Sequence, residues 1–143
     1  YSMKHATLDD FEKVYSYYQK YKVWFPHVRT DYMKRMIAKQ QLILEDGILI
    51  TFHHCKRKQT IGDVHVRKGD TVLHQIANSE PGSGNARVIL HNFFEWCPRD
   101  VFLSVRSDNI KACKFYEQIG MKLIGETSWA RGTLPGKVYV MRK

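Results

Sequence analysis

The sequence predicts an α/β fold in one domain: a run of mostly antiparallel strands with helices before and among them. Three observations lead there. Helix-like and strand-like hydrophobic periodicities alternate along the chain in the order β-α-α-β-β-β-α-β-α-β-β. A length of 143 residues suits one ordinary domain with one core and is short for two. No internal repeat, low-complexity tract or linker interrupts the pattern, so the expected domain spans 1–143.

Residues 4–7 read as a short opening strand. Thr7, followed by Leu8, Asp9 and Asp10, offers a helix N-cap with acids in the first turn. Phe11, Val14, Tyr15, Tyr18 and Tyr21 then recur at helical spacing until Pro26 breaks the helix. Thr30 and Asp31 cap a second helix whose Met33, Met36, Ile37 and Gln40 share one side. Residues 42–44 and 48–54 read as a hairpin turning at Asp46-Gly47, a pair that supplies positive φ cheaply. After the basic stretch 56–58, residues 61–67 alternate weakly and turn at Lys68-Gly69-Asp70 into 71–78, which predicts a second hairpin. A glycine turn, a helix over 86–96, a strand over 101–105, a helix over 110–119 and strands over 121–125 and 138–141 complete the chain. Residues 127–136 are expected to form its longest irregular piece.

Composition narrows the function classes. Apolar residues at 43% and aromatics at 13% exclude a disordered chain, and no run approaches the ~20 apolar residues that cross a bilayer. No membrane partner is expected. The chain opens without a leader pattern, and its first Met is Met3, so Tyr1 and Ser2 are set aside as a remnant or the edge of a fragment. A cytoplasmic location is the default expectation. The three cysteines lack CxxC spacing and fit free thiols in a reducing compartment. A net charge of +9, from 23 Lys and Arg against 14 Asp and Glu, favours an anionic ligand or partner. Because the excess is scattered, solubility together with a nucleotide-cofactor cleft explains it more simply than a dedicated nucleic-acid surface. His53, His54, Cys55 and His65 invite a metal site, but neighbours on a strand point to opposite faces, and neither zinc-finger spacing nor HExxH occurs. No metal is expected.

The most informative segment is Ile76-Ala77-Asn78-Ser79-Glu80-Pro81-Gly82-Ser83-Gly84-Asn85-Ala86-Arg87, a strand passing through small residues into a helix. Glycine allows close backbone approach, and the first unpaired N–H groups of the helix favour negative charge, so a pyrophosphate fits there. A plain strand-to-helix turn that needs glycine for geometry alone explains the spacing equally well. A Walker A motif is absent, and a dinucleotide fingerprint would need a small residue where Arg87 stands.

Two stretches together resemble the GCN5-related N-acetyltransferase (GNAT) superfamily. Gly84-Asn85-Ala86 is similar to the G-x-G/A end of its cofactor signature. Asn109-Ile110-Lys111-Ala112-Cys113-Lys114-Phe115-Tyr116-Glu117-Gln118-Ile119-Gly120-Met121 resembles its N-x-x-A-x-x-x-Y-E-x-x-G-F stretch nearly throughout, with Met121 for the usual aromatic. The two stretches lie between residues 84 and 121, in the second half of the chain. One departure is Pro81, which stands where the family usually carries Arg or Gln.

The resemblance implies a mixed, mostly antiparallel GNAT-like sheet flanked by helices, acetyl-CoA as cofactor, and transfer of its acyl group to a primary amine. It places Gly82, Ser83, Gly84, Asn85, Ala86 and Arg87 on the pyrophosphate, the backbone of Ile76 and Asn78 on the pantetheine arm and thioester oxygen, and Asn109 beside the cofactor. It also makes Tyr116 the general acid, although a Tyr at helical spacing with Cys113 and Ile119 is equally a core residue. Acyl transfer further needs a route for the ammonium proton. His74 and Asp70 share strand parity with Ile76, and His74 is preferred because an ordinary imidazole titrates near 6.5; a water chain to solvent and a plain strand histidine stay open. Trp24, Phe25 and His27 after the first helix, with Trp129 and Arg131 late in the chain, are candidate acceptor contacts. The acceptor is a small molecule, a protein or a nucleic-acid-linked amine. The alternative is a catalytically silent module of the same fold that binds coenzyme A, a nucleotide or nucleic acid. Two edges of an open sheet also make a homodimer compatible with the sequence.

Overall fold

A computed structural model describes residues 2–143. In chain order it contains α1 (Phe11–Lys20), α2 (Thr30–Ala38), β1 (Leu42–Glu45), β2 (Ile48–His54), β3 (Gln59–Ile61), β4 (Val64–Val66), β5 (Thr71–Asn78), α3 (Asn85–Trp96), β6 (Val101–Arg106), α4 (Ile110–Gln118), β7 (Lys122–Trp129) and β8 (Leu134–Met141). Six strands form one sheet in the order β1-β2-β5-β6-β8-β7, and β3 and β4 form a separate pair. The β1–β2, β6–β8 and β7–β8 pairings are antiparallel, whereas β5 and β6 run parallel through Thr71–Val101, Val72–Phe102 and Leu73–Leu103. The mixed, mostly antiparallel α/β architecture expected from the sequence is therefore present. By packing, the chain divides into two compact units, one comprising residues up to Phe52 with His74–Trp96, the other His53–Leu73 with Cys97–Lys143.

In the first unit the Thr7 amide donates to Asp10 Oδ2 at 2.9 Å and starts a 3-10 turn over Leu8–Asp10 that leads into α1. Residues 4–7 are not a full strand. His5 alone bridges Ile43, with Leu44 N donating to Lys4 O and Ala6 N to Leu42 O at 3.0 Å each, because the capped turn at Thr7 ends the extended run at once. Helix α1 buries Val14, Tyr17 and Tyr18, so Tyr17 takes the inward place expected of Tyr15, which is 38% exposed. Helix α2 buries Met33, Met36 and Ile37 as expected, but Gln40 lies beyond its end at φ +57° and stops the helix instead of joining its apolar face. The Asp46-Gly47 hairpin is as read, with φ of +48° and +80° and Leu42 facing Thr51. The two helices close over Leu42, Leu44, Leu49 and Ala77, where full burial of each leucine contributes about 2 kcal/mol.

A buried polar knot ties this unit together. The side-chain oxygen of Gln75 on β5 accepts from the hydroxyls of Tyr18 (3.1 Å), Tyr32 (3.1 Å) and Thr51, and the Gln75 amide donates back to Thr51 Oγ1 at 3.1 Å. Thr51 is fully buried. Burial, followed by the neighbouring Tyr32, pushes the Tyr18 phenol well above its ordinary value, so it remains a donor.

The second unit differs from expectation in two places. Residues 61–67 do not form one strand paired with 71–78; β3 and β4 pair with each other, Gln59 facing Val66, across a turn in which Gly62 has φ +58°. Residues 127–136 are not irregular, since β7 and β8 continue as a hairpin through Trp129 and Leu134. Its turn takes Ala130, Arg131 and Gly132 through φ of +52°, +57° and +88°. Within that hairpin Gly136 is required by packing: a Cβ there would run into the Trp129 ring. The unit's core gathers Cys55, Val64, Val66, Val72, Phe102, Val138 and Val140. Asp100 anchors its polar edge, accepting from Lys143 N at 2.8 Å and Arg142 at 3.1 Å. Burial raises the Asp100 carboxyl, but the Lys143 amide, Arg142 and Arg67 outweigh it and hold the group below the ordinary carboxylate value.

Two predictions follow from these knots. Thr51→Val should lower stability by about 1–3 kcal/mol, because it leaves the Gln75 amide without its partner; a shifted urea midpoint checks this. A depressed folded-state pKa gives Asp100 stability that is present above its unfolded value near ~4 and is lost as pH falls through the folded one. Asp100→Asn should therefore lower the melting temperature at pH 7 and flatten the decline between about pH 4 and pH 2, as thermal melts across that range would show.

Candidate functional site

The segment after β5 is held at several points within the first unit. Ser79 N donates to Gly47 O at 2.9 Å, Lys20 Nζ to Ser79 O at 2.8 Å, and Asn85 Nδ2 to Asp46 O at 3.0 Å. Between these ties, Ser83 N donates to Glu80 O at 3.2 Å and Ser83 Oγ accepts from Asn85 N at 3.3 Å, capping the entrance to α3. Gly82 and Gly84 take φ of +88° and +85°, alternating with residues of negative φ. Such alternation gathers successive amides into a concavity suited to anions. A Cβ at either glycine would meet no protein atom within 4 Å, so neighbouring side chains do not require these glycines. The first turn of α3 carries no acid and contains Arg87, and its leading amides add the positive end of the helix dipole. Conformation, open space and charge thus suit a pyrophosphate. Asn85 and Ala86 begin the helix, and the Asn85 side chain is spent on Asp46.

The amide of Gln75 on β5 points to Thr51 on β2, and that of Ser79, just past β5, points to Gly47 in the turn before β2. Alternation along a strand turns the amides of Ile76 and Asn78 the other way. The Asn78 carbonyl accepts from Tyr21 at 2.8 Å, and its side-chain oxygen accepts from Glu80 N at 2.9 Å, so Asn78 also orders the approach to the turn. His74 lies on the same strand and is exposed.

The remaining candidates fall in the second unit. Asp70 precedes β5 and is 1% exposed; its Oδ2 accepts from Arg67 N at 2.9 Å, and Arg99 Nε stands 3.8 Å from its Oδ1. It closes the turn at Lys68-Gly69, so the shared face expected for Asp70 and the exposed His74 gives way to a buried turn anchor. Asn109 caps α4, its Oδ1 accepting from Ala112 N at 3.3 Å. Tyr116 is half-buried on α4, its ring centroid 5.9 Å from that of Tyr139. Burial, then the nearby Cys113, raises its phenol above the ordinary value, so at neutral pH it keeps its proton.

Of the residues expected to meet an acceptor, Phe25 lines a cavity of about 270 Å³ in the first unit. Trp24 and His27 belong to the same loop but do not line it. The cavity is walled instead by Tyr15, Tyr18, Lys22, Val28, Arg29 and Met33 among others. Trp129 covers Gly136 at the end of β7, and Arg131 sits in the hairpin turn. Sequence reasoning missed Gln75 and Lys22. The hydroxyl-bearing edge of the first helix, Tyr18 above all, was the available sign that β5 should carry a polar partner.

All three cysteines are free and buried, and among the described residues no three His, Cys, Asp or Glu side chains converge as metal ligands. Among the same residues no helix is long and apolar enough to cross a membrane.

No protein-family model and no curated protein matches the chain. Solved structures do. A GNAT-family acetyltransferase from Bacillus cereus ATCC 10987 is 19% identical, with 99% of this chain and 96% of that one covered at a TM-score of 0.72. One from Streptococcus agalactiae 2603 is 14% identical over 99% and 95%, with a TM-score of 0.77. Arabidopsis thaliana NAA60, solved in complex with acetyl-CoA, is 11% identical over 99% of both chains, with a TM-score of 0.71. At these identities the likeness is one of architecture, and this chain has the fold of the GNAT acetyltransferases.

Proposed function

We propose that the chain is a GNAT-superfamily N-acetyltransferase that uses acetyl-CoA to acetylate a primary amine by direct attack on the thioester. The observation that carries this reading is the turn at Gly82 and Gly84, whose positive-φ glycines leave open space in front of the α3 N-terminus. The likeness to GNAT structures, one of them bound to acetyl-CoA, supports the choice of cofactor.

When bound, acetyl-CoA supplies an acyl group activated on sulfur and a pyrophosphate that needs neutralising. The amides of residues 83–87 and the Arg87 side chain take the pyrophosphate charge. The outward amides of Ile76 and Asn78 hold the pantetheine arm and polarise the acyl oxygen. Transfer to the amine would replace the acyl carbon's bond to sulfur by one to nitrogen, leaving a thiolate that needs a proton and a nitrogen that must lose one. Tyr116, kept protonated by burial, gives sulfur its proton, and His74 accepts the proton that nitrogen loses. Asn109 orders the start of the helix that carries Tyr116. A second reading, a catalytically silent module that binds coenzyme A, a nucleotide or nucleic acid, is favoured by Pro81, which removes a side-chain donor from the turn.

Acetyl-CoA at about a hundred times its Kd should stabilise the protein by about 2.7 kcal/mol, read as a rise in melting temperature, and Gly84→Val should abolish that rise. No rise with any acyl-CoA would remove the cofactor from the account. Tyr116→Phe should lower kcat at least ~10-fold with acetyl-CoA affinity unchanged. Unchanged turnover would take Tyr116 out of the mechanism, whereas binding without turnover across a broad amine panel would favour the silent module.

A further inference from the structure

The 270 Å³ cavity of the first unit has an uneven chemistry. Tyr15, Tyr18, Phe25 and Met33 give it an apolar wall, while Lys22 and Arg29 are its only charged lining side chains among the described residues. Both cations are exposed, and neither joins an ion pair among the described residues. Among the same residues no carboxylate lines the cavity. In a protein of net charge +9, a small space with two uncompensated cations repels an ammonium group and attracts an anion. Arg in particular can meet a carboxylate or phosphate with two parallel hydrogen bonds.

The cavity is also tied to β5. Tyr18, which lines it, donates its hydroxyl to Gln75 at 3.1 Å, and Gln75 is the neighbour of Ile76. The Tyr18 side chain thus runs from the cavity wall to the strand to which the thioester arm is assigned above. The volume is just below the ~300 Å³ at which drug-sized pockets begin, which suits a single-ring or short aliphatic molecule.

We propose that this cavity seats the acceptor, and that the acceptor is a small amine with an apolar, ring-sized body and an anionic group, a carboxylate or a phosphate, held by Lys22 and Arg29. The anionic end enters the cavity and the amine is presented towards β5. Polyamines and simple alkylamines are poor acceptors on this account, because they bring a cation to a cationic wall and have nothing to pair with it. The acceptor role rests on the acetyltransferase reading; the preference for anions does not.

The test separates the two. Saturation-transfer NMR without cofactor would measure binding of 3-phenylpropionate, phenyl phosphate and 3-phenylpropylamine to the wild type, to a Lys22→Ala/Arg29→Ala double variant and to a Lys22→Glu/Arg29→Glu double variant. Both positions are exposed, and a thermal melt of each variant confirms that it is folded. The wild type should bind at least one anion at least ~10-fold more tightly than the amine, with the tighter anion telling carboxylate from phosphate. The alanine variant should lose that preference and the glutamate variant should reverse it. Equal binding of the amine and the anions by the wild type, or anion binding unchanged in the alanine variant, would overturn the inference. In turnover assays with acetyl-CoA, ring-bearing amino acids should outperform their carboxamides through KM. If acetyl-CoA neither binds nor reacts while the anion preference holds, the acetyltransferase reading falls and the anion cavity stands. If acetyl-CoA binds and simple amines are acetylated as well as anionic ones, the reading stands and the acceptor class falls.

Discussion

The side-chain amide of Gln75 is the interaction on which the first unit depends. Three hydroxyls, from α1, α2 and β2, converge on its oxygen, and its backbone amide is held by one of the same hydroxyls. Apolar burial is non-directional and would let two helices slide over a sheet, whereas a buried hydrogen-bond knot has one geometry in which every member is satisfied. This knot therefore sets where α1 and α2 sit and fixes β5 against β2 at Thr51. Everything proposed for that unit follows: the cavity lies beside Tyr18, and the glycine turn begins four residues beyond Gln75, at Ser79, which is held to Gly47.

As the proposed anion site, the turn would need little side-chain chemistry. The donors proposed for it are backbone amides, its shape comes from two glycines of positive φ, and its ties to the rest of the unit are the Ser79 amide, an asparagine and a lysine. Pro81, which offers no side-chain donor, is compatible with that proposal, because the α3 N-terminus and Arg87 would supply the positive charge. Long-range attraction from a net charge of +9 adds to encounter with any polyanionic cofactor.

Much of this was legible in the sequence where the signal was local. Asp46-Gly47, the Thr7 cap, the helix faces at Val14 and Met33 and the strand-to-helix glycine turn were read correctly because each is decided within a few residues. The misreadings arose where distant packing overrode local chemistry. The final hairpin turns on Ala130 and Arg131 at positive φ, positions that ordinarily call for Gly or Asn, and its second strand holds Pro135 and Gly136, which discourage a strand reading. Gly136 makes sense only once the Trp129 ring is seen to occupy its missing Cβ. Gly62-Asp63, by contrast, was a readable turn signal obscured by weak alternation around it. Asp70 misled for another reason: strand parity suggested a reactive face, but the residue stops short of the strand and closes a turn. Gln75 had only an indirect sign in the hydroxyl-bearing edge of α1, since its three partners lie 24 to 57 positions away.

The most direct test of the central claim is to follow backbone amides by ¹⁵N–¹H NMR while coenzyme A is titrated in. The account predicts that residues 83–87, together with Ile76 and Asn78, shift first and saturate with one common Kd, and that a bulky replacement at Gly84 suppresses the response. Shifts confined to other parts of the chain, or none at saturating coenzyme A, would contradict the claim that this turn is the cofactor site.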